Sequence, residues 1–219
     1  MGKVDVSGAN GYNPKLQQSL EEYVAEQAKS GTYDLDANLA LLRHYDFAPE
    51  GAKLDVIATV LIKALMRLPE PDFAQLLQLV PEQVQDEQPV AALVALTQHL
   101  EGARFRDFWL AQDACRDVVA GVTGFYEAVR AYILATISHT CRRVSKGTLA
   151  ECLRLEDASL DALIEEKVAK EGWSVAAADM MTVVTLPENE QNVIHAQGTG
   201  QGGFRFEPMQ LAQILQVVQ

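Results

Sequence analysis

The sequence predicts a mainly α-helical protein, with an N-terminal HEAT-like helical repeat domain followed by a C-terminal winged-helix domain of the α+β class. Up to about residue 119, apolar residues recur at helical spacing, and short breaks with Pro or Gly separate the helices. This pattern is typical of stacked helical pairs or a compact bundle. Beyond residue 172, β-branched residues indicate strands around a glycine-rich loop, so the order helix, helix, strand, long loop, strand predicts a winged helix.

The chain is predicted to divide into four parts. Residues 1–12 are glycine-rich and polar, which predicts a flexible tail. Residues 13–124 form the helical repeat domain, residues 125–207 the winged-helix domain and residues 208–219 a C-terminal helix. The joint is placed at the two glycines of Gly121-Val-Thr-Gly124.

Local signals place the first helices. Asn13-Pro14 is typical of a helix start, and Ser30-Gly31 of a helix end. Asp34 is predicted to cap a second helix, which runs to about residue 45. A third helix over about 52–68 is apolar on more than one side, so more than one neighbour must cover it. Further helices are predicted over about 72–79, 84–100, 104–119, 125–140, 145–155 and from 158 or 159 to 171, and strands over 180–186, 192–196 and 204–206.

Composition limits the possible functions. The formal net charge is −12 at pH 7, from 18 Lys and Arg against 30 Asp and Glu. Because nucleic-acid affinity comes largely from neutralising phosphates, this charge argues against a general nucleic-acid binder. Three cysteines without a C-x-x-C pair favour reduced thiols in the cytosol or nucleus. The absence of an apolar run of about 18 residues argues against a membrane span.

No group of residues predicts catalysis, a cofactor or a metal site. The glycine run 198–203 lacks the Lys-Ser/Thr pair and the following helix of a phosphate loop, so we expect a mobile wing. Asp34 and Asp36 are explained by helix capping. On a helix, His139 and Cys141 point in different directions, so a Cys–His pair would need a tertiary contact. The histidines are scattered and show no metal-binding spacing: His44, His99, His139 and His195.

Two groups of residues could contact partners. The C-terminal helix carries an apolar stripe that either caps the winged helix or packs against a helix of another protein. That stripe comprises Leu211, Ile214, Leu215 and Val218. Arg142, Arg143 and Lys146 form a basic cluster, which is a solvated turn, a set of salt-bridge partners or a weak RNA contact.

The predicted winged helix raises the alternative of a nucleic-acid-binding protein. Its recognition helix would be about 159–171. A helix that reads a DNA groove needs Arg, Lys, Asn or Gln facing the bases. This segment has Lys167 and Lys170 but no Arg, and acidic residues outnumber the lysines. Sequence-specific DNA recognition is therefore not expected.

The order of helical repeats and winged helix is similar to that of the PCI-type scaffold subunits of the proteasome lid, the signalosome and eukaryotic translation initiation factor 3. The motifs resemble, more narrowly, the subunit K family of that initiation factor. The resemblance runs from about residue 12 to 174 and includes Tyr12-Asn13-Pro14, Tyr33-Asp-Leu-Asp-Ala-Asn-Leu-Ala-Leu-Leu42, Leu61-Ile-Lys-Ala-Leu65, Phe108-Trp109, Gly121-Val-Thr-Gly-Phe125, Val129-Arg130 and Gly172-Trp173-Ser174.

This resemblance implies a role rather than a reaction. It implies a non-catalytic, cytoplasmic structural subunit that binds the other subunits of initiation factor 3, subunit L above all. Through that complex it would meet the small ribosomal subunit during initiation. The resemblance implies neither a cofactor nor a membrane partner.

Overall fold

The computed structural model describes residues 16–178 and 181–193, which form a helical part and a winged helix. The winged helix contains a small antiparallel sheet. The helices are α1 (Gln17–Ser30), α2 (Leu35–Phe47), α3 (Leu54–Leu65), α4 (Asp72–Leu77), α5 (Glu82–Gln85), α6 (Val90–Glu101), α7 (Phe105–Asp113), α8 (Arg116–Val119), α9 (Phe125–Thr140), α10 (Lys146–Leu153) and α11 (Asp157–Glu171), with a 3-10 helix at Pro49–Gly51. The strands are β1 (Arg143–Ser145), β2 (Ser174–Ala178) and β3 (Met181–Thr185).

Helix α3 is the centre of the helical part. It packs against α1, α4 and α6, so neighbours cover it on several sides. Ile57, Leu61 and Ile62 are completely buried, and burial of each such side chain is worth about 2 kcal/mol. The prediction that several neighbours cover this helix is confirmed.

The predicted end of α1 and the predicted start of α2 are also confirmed. Gly31 ends α1 with φ +74°, a left-handed conformation that glycine adopts without steric cost. The Asp34 carboxylate accepts a hydrogen bond from the N–H of Ala37 at 3.2 Å, which satisfies a free donor at the start of α2. The predicted helix start at Asn13-Pro14 lies outside the described residues, and the described helix begins at Gln17.

Two predicted helices are each divided in the structure. The segment 84–100 becomes α5 and α6, with Pro89 between them, because proline lacks an N–H and restricts the residue before it. The segment 104–119 becomes α7 and α8. Cys115 stands between them with φ −119° and ψ 22°, outside helical geometry. Apolar periodicity alone did not reveal either break.

The C-terminal part has the order of a winged helix, which confirms the predicted fold class. The sheet order is β1-β3-β2, and both neighbours of β3 are antiparallel to it. Val144 and Val175 lie opposite Val184, which is completely buried. Helices α10 and α11 connect β1 to β2, and α10 packs on β3.

The predicted strands need correction. The predicted strand at 180–186 corresponds to β3, but its partner β2 precedes it in the chain, with Ala178 opposite Met181. The sequence signal for β2 was weak because alanine is uncommon in strands. The glycine run, the predicted strand 204–206 and the helix 208–219 lie outside the described residues.

The strand predicted over 192–196 is wrong where the structure describes it. Asn192 lies in a turn, and its side-chain amide donates to the carbonyl oxygens of Pro187 (2.8 Å) and Ser138 (3.2 Å). Its Oδ1 accepts from the N–H of Asn189 at 2.9 Å. Short amide side chains that bind nearby backbone groups favour turns over strands.

A buried polar network links α1, α2 and the segment before α3. The Glu21 carboxylate accepts from the hydroxyl of Tyr45 (2.8 Å), the ammonium of Lys53 (2.5 Å) and the amide of Gln17 (3.1 Å). Burial raises the pKa of Glu21, but the hydrogen bonds from Lys53, Tyr45 and Gln17 outweigh it and lower the pKa below its usual value. Glu21 is therefore held as a carboxylate in the folded protein.

We expect Glu21→Gln to lower the free energy of unfolding by about 1.5 kcal/mol near pH 7, since it removes charge-assisted hydrogen bonds. The pKa of Glu21 is lower in the folded than in the unfolded protein, so its stabilisation is present above the unfolded pKa. It is lost as the pH falls through the folded pKa. Urea unfolding from pH 7 to pH 3 should show the two proteins converging. The exposed neighbour Glu22, changed to Gln, is the control, and a constant difference across this range would contradict the prediction.

Candidate functional site

The predicted basic cluster is largely paired within the chain. Arg142 Nη2 lies 2.6 Å from a carboxylate oxygen of Glu188, and Lys146 Nζ lies 2.7 Å from a carboxylate oxygen of Asp161. Arg143 is exposed at the start of β1. The three residues follow one another at β1 and the start of α10, and two of them already have acidic partners.

Helix α11, the element that would enter a DNA groove, has an acidic surface. It carries five carboxylates (Asp157, Asp161, Glu165, Glu166 and Glu171) and two lysines. Lys170 pairs with Glu166 at 2.8 Å, and Lys167 pairs with Glu171 one turn away. Because phosphates need free positive charge, this face is poorly suited to nucleic acid.

The side chains that could support chemistry are dispersed. His139 Nδ1 lies 2.8 Å from the side-chain oxygen of Gln191, and burial raises the pKa of the Cys152 thiol. Within residues 16–178 and 181–193, no three His, Cys, Asp or Glu side chains are placed to hold a metal ion. His195 and the stripe of Leu211, Ile214, Leu215 and Val218 lie outside this part of the chain.

Helix α7 contacts the winged helix through Trp109. We call this contact the α7–α10 joint; it is distinct from the domain boundary predicted at Gly121–Gly124, and it was not predicted from the sequence. The Trp109 indole is 5% exposed, and its N–H donates to the carbonyl of Cys152 in α10 at 2.8 Å. The Tyr126 ring lies almost parallel to the indole, with centroids 6.4 Å apart. Because a buried indole N–H needs an acceptor, this bond fixes where α10 sits on α7.

Two guanidinium groups cover the same indole. The Cζ atoms of Arg130 and Arg154 lie 5.8 Å and 5.9 Å from its ring centre, within the range of cation–π attraction. Arg130 Nε also donates to the carbonyl of Leu153 at 3.0 Å, at the end of α10. The arginine of α9 and the arginine after α10 therefore meet over one aromatic ring.

Arg154 has an unusual backbone conformation. Its φ is +50°, in the left-handed region where glycine commonly ends a helix. Its side chain makes two hydrogen bonds to the Asp113 carboxylate, at 2.8 and 2.9 Å, and one to the carbonyl of Trp109 at 3.3 Å. These bonds from Arg154 lower the pKa of Asp113. They also stabilise arginine in a backbone conformation that glycine adopts more easily.

A cleft of about 270 Å³ opens beside this joint. We name it the arginine cleft; Gln112, Arg116, Tyr126, Glu127, Arg130 and Arg154 line it over Trp109. Gln112 donates to the Tyr126 hydroxyl at 3.0 Å, which joins α7 to α9. The pairs Phe108-Trp109 and Val129-Arg130 are part of the family resemblance, but nothing in the sequence places them together.

Strand β2 has β3 on one side, and no second strand lies along its other edge among the described residues. The residues from Ser174 to Ala177 are exposed. Val175 is 47% exposed, and Met181 at the start of β3 is 59% exposed. The winged helix thus presents a strand edge with small side chains and nearby apolar surface.

The described helices are shorter than a helix that spans a membrane. The longest described helix, α9, has 16 residues, and a bilayer span needs about 20. Within the described ranges, no helix is both long and apolar enough to cross a membrane.

Comparison with known proteins places this architecture in a family. The profile of the CSN8/PSMD8/EIF3K family matches residues 52–193, which include most of the helical part and the described winged helix. Subunit K of eukaryotic translation initiation factor 3 from Homo sapiens is 35% identical over 189 residues, covering 86% of this chain and 85% of the human protein. The same subunit from Drosophila virilis is 36% identical over 176 residues, covering 80% and 77%. The chain therefore belongs to the CSN8/PSMD8/EIF3K family, and within it to the subunit K group of eukaryotic translation initiation factor 3.

Substitution of Trp109 tests the joint. Trp109→Ala should lower the free energy of unfolding by about 3–5 kcal/mol, because a large buried ring is lost. Trp109→Phe keeps a ring but removes the donor to Cys152, and should cost about 1 kcal/mol. Leu110→Ala is the neighbouring control, since Leu110 is 72% exposed and should change stability by less than about 0.5 kcal/mol. Urea unfolding measures all three, and equal losses for Phe and Ala would contradict the importance of ring packing.

Proposed function

We propose that this chain is a non-catalytic structural subunit of the eukaryotic translation initiation factor 3 complex, acting by protein–protein contact. The family relationship supports membership of this complex, since the relatives are named as its subunit K. The observation that carries the mode of action is the open edge of β2. An exposed strand edge offers unpaired N–H and C=O groups to a strand of another protein.

The proposed contact is the addition of a partner strand to β2. Its side chains are small, with Ser174, Val175 and three alanines, so another backbone can approach closely. Val175, which lies on β2 itself and is 47% exposed, would supply an apolar contact beside the new strand. We propose subunit L as the first partner, with the other subunits and the small ribosomal subunit reached through the complex in the cytoplasm.

The non-catalytic role is supported by what the polar side chains do. Trp109, Asp113 and Arg154 hold α7 to α10, and Glu21 holds α1 to its neighbours. Each of these groups has an architectural partner within the fold. A nucleic-acid-binding winged helix is less well supported, because the lysines of α11 are paired with carboxylates on the same helix.

Two further contacts remain proposals. We propose that the apolar stripe of Leu211, Ile214, Leu215 and Val218 packs against a partner helix. We also propose that the exposed Arg143 makes any weak RNA contact of the basic cluster, since Arg142 and Lys146 are engaged with Glu188 and Asp161.

A charge on the β2 edge should weaken assembly. We expect Val175→Lys to reduce the recovery of other initiation-factor subunits, subunit L most of all, in a pull-down from cell extract. Val168→Lys on α11 is the matched control, because Val168 is also a partly exposed valine, at 41%. Both variants should melt within a few degrees of the wild type. Equal recovery with both variants would contradict strand addition at β2, and recovery of no subunit by the wild type would contradict the proposed function itself.

The C-terminal stripe predicts a second effect on binding. Leu211→Asp or Leu215→Asp should weaken partner binding more than folding, because each places a charge on the proposed contact face. Gln213→Asp, off the stripe in the same predicted helix, is the control. Thermal melting and binding per folded molecule should be measured together. A steep fall in melting temperature with unchanged binding per folded molecule would make the stripe part of the core.

A further inference from the structure

The arginine cleft stands out from the charge of the whole chain. Three arginines, Arg116, Arg130 and Arg154, face it in a protein with a formal net charge of −12. Asp113 pairs with Arg116 at 2.8 Å and with Arg154 at 2.8 Å, which leaves Arg130 as the guanidinium in the cleft without its own carboxylate. No carboxylate lies within 4 Å of Arg130 among the described residues. Glu127 also lines the cleft, so three guanidiniums face two carboxylates, Asp113 and Glu127, and the cleft keeps a net positive charge.

The hydrogen bonds of Arg130 leave donors available. A guanidinium has five N–H donors. Arg130 Nε donates to the carbonyl of Leu153 at 3.0 Å, and Nη2 to the carbonyl of Arg154 at 3.4 Å. These two bonds fix the plane of the group, while Nη1 has no hydrogen-bond partner in the described parts of the chain. A fixed guanidinium with free donors is well prepared to bind a carboxylate, since little side-chain entropy remains to be lost.

The shape of the cleft favours a carboxylate over a nucleotide. Base recognition by stacking needs an open aromatic face. Trp109 is 5% exposed, and Tyr126, Arg130 and Arg154 already cover its ring. A volume of about 270 Å³ accommodates a short acidic side chain. The negative charge of the whole protein would also repel a long phosphate chain more strongly than one carboxylate.

We propose that the arginine cleft binds a glutamate or aspartate side chain from an acidic segment of a partner protein. Arg130 supplies the free donors, and Arg116 at the rim adds a second positive charge. Glu127 at the lip opposes the ligand and keeps the affinity modest. The choice of a protein ligand rests on the proposed function, but the cleft lies at the α7–α9–α10 joint and is separate from the β2 edge.

The probe is a capped ten-residue peptide of alternating glutamate and glycine, and its matched control has glutamine in place of glutamate. Each is titrated into the full-length protein, and the indole N–H signal of Trp109 is followed by NMR. Arg130→Gln should weaken binding of the glutamate peptide about tenfold and Arg116→Gln about fivefold, the effects expected for a half-buried and an exposed charge-assisted contact. Arg106→Gln is the control, because Arg106 is 66% exposed, pairs with Glu151 and does not line the cleft.

Glu127→Gln should strengthen binding about twofold, since it removes an opposing charge from the rim. If Arg130→Gln is too unstable to be measured, the tighter peptide binding of Glu127→Gln still tests the proposal. The glutamine peptide should leave the Trp109 signal unchanged.

The proposal is overturned if the glutamate peptide fails to bind, if it binds all arginine variants equally, or if a single-stranded oligouridylate binds more tightly through the same arginines. It is also overturned if the wild-type protein self-associates and Arg116→Gln does not, because the cleft would then bind a second copy of this chain. Failure of this test with normal recovery of initiation-factor subunits would leave the β2 contact standing.

Discussion

The position of the winged helix on the helical part depends on the directed polar contacts around Trp109. The Trp109 indole has a single donor, and the carbonyl of Cys152 accepts from it at 2.8 Å. Tyr126 and the guanidiniums of Arg130 and Arg154 lie against the same indole ring, and loss of the acceptor would leave a buried donor without a partner. The hydrogen bond therefore sets a register between α7 and α10 that apolar packing alone, being non-directional, would leave loose.

The charged groups at this joint act on the backbone as well as on each other. Arg130 donates to the carbonyl of Leu153 at the end of α10, and Arg154 donates to the carbonyl of Trp109 in the middle of α7. Asp113 holds Arg154 in place and joins it to Arg116. A separate network around Glu21 does the same for α1 and the segment before α3. In both places, polar side chains define the angle between elements whose apolar faces provide most of the burial energy.

Local chemistry made much of this fold predictable. Gly31, Asp34 and the apolar faces of α3 act within a few residues of their own position, so the sequence contains the whole signal. The joint could not be predicted in this way, because Trp109 and Cys152 are 43 residues apart and only the tertiary fold brings them together. Strand β2 was not predicted for another reason. Its alanines have low strand propensity, and pairing with β3 overrides that preference. At residue 192, side-chain hydrogen bonds outweighed the apolar pattern.

The order of the sheet has a consequence for how the chain folds during its synthesis. The central strand β3 is the last of the three to be made, and β1 and β2 pair only with it in the described sheet. Arg143 in β1 pairs with Thr185, which is synthesised 42 residues later, so β1 has no neighbouring strand until then. The helical part precedes them and can pack while the ribosome is still adding the rest, at roughly 5–20 residues per second. A nascent chain stopped before residue 181 would carry β1 and β2 without the strand that pairs with both, and such unpaired edges are templates for aggregation.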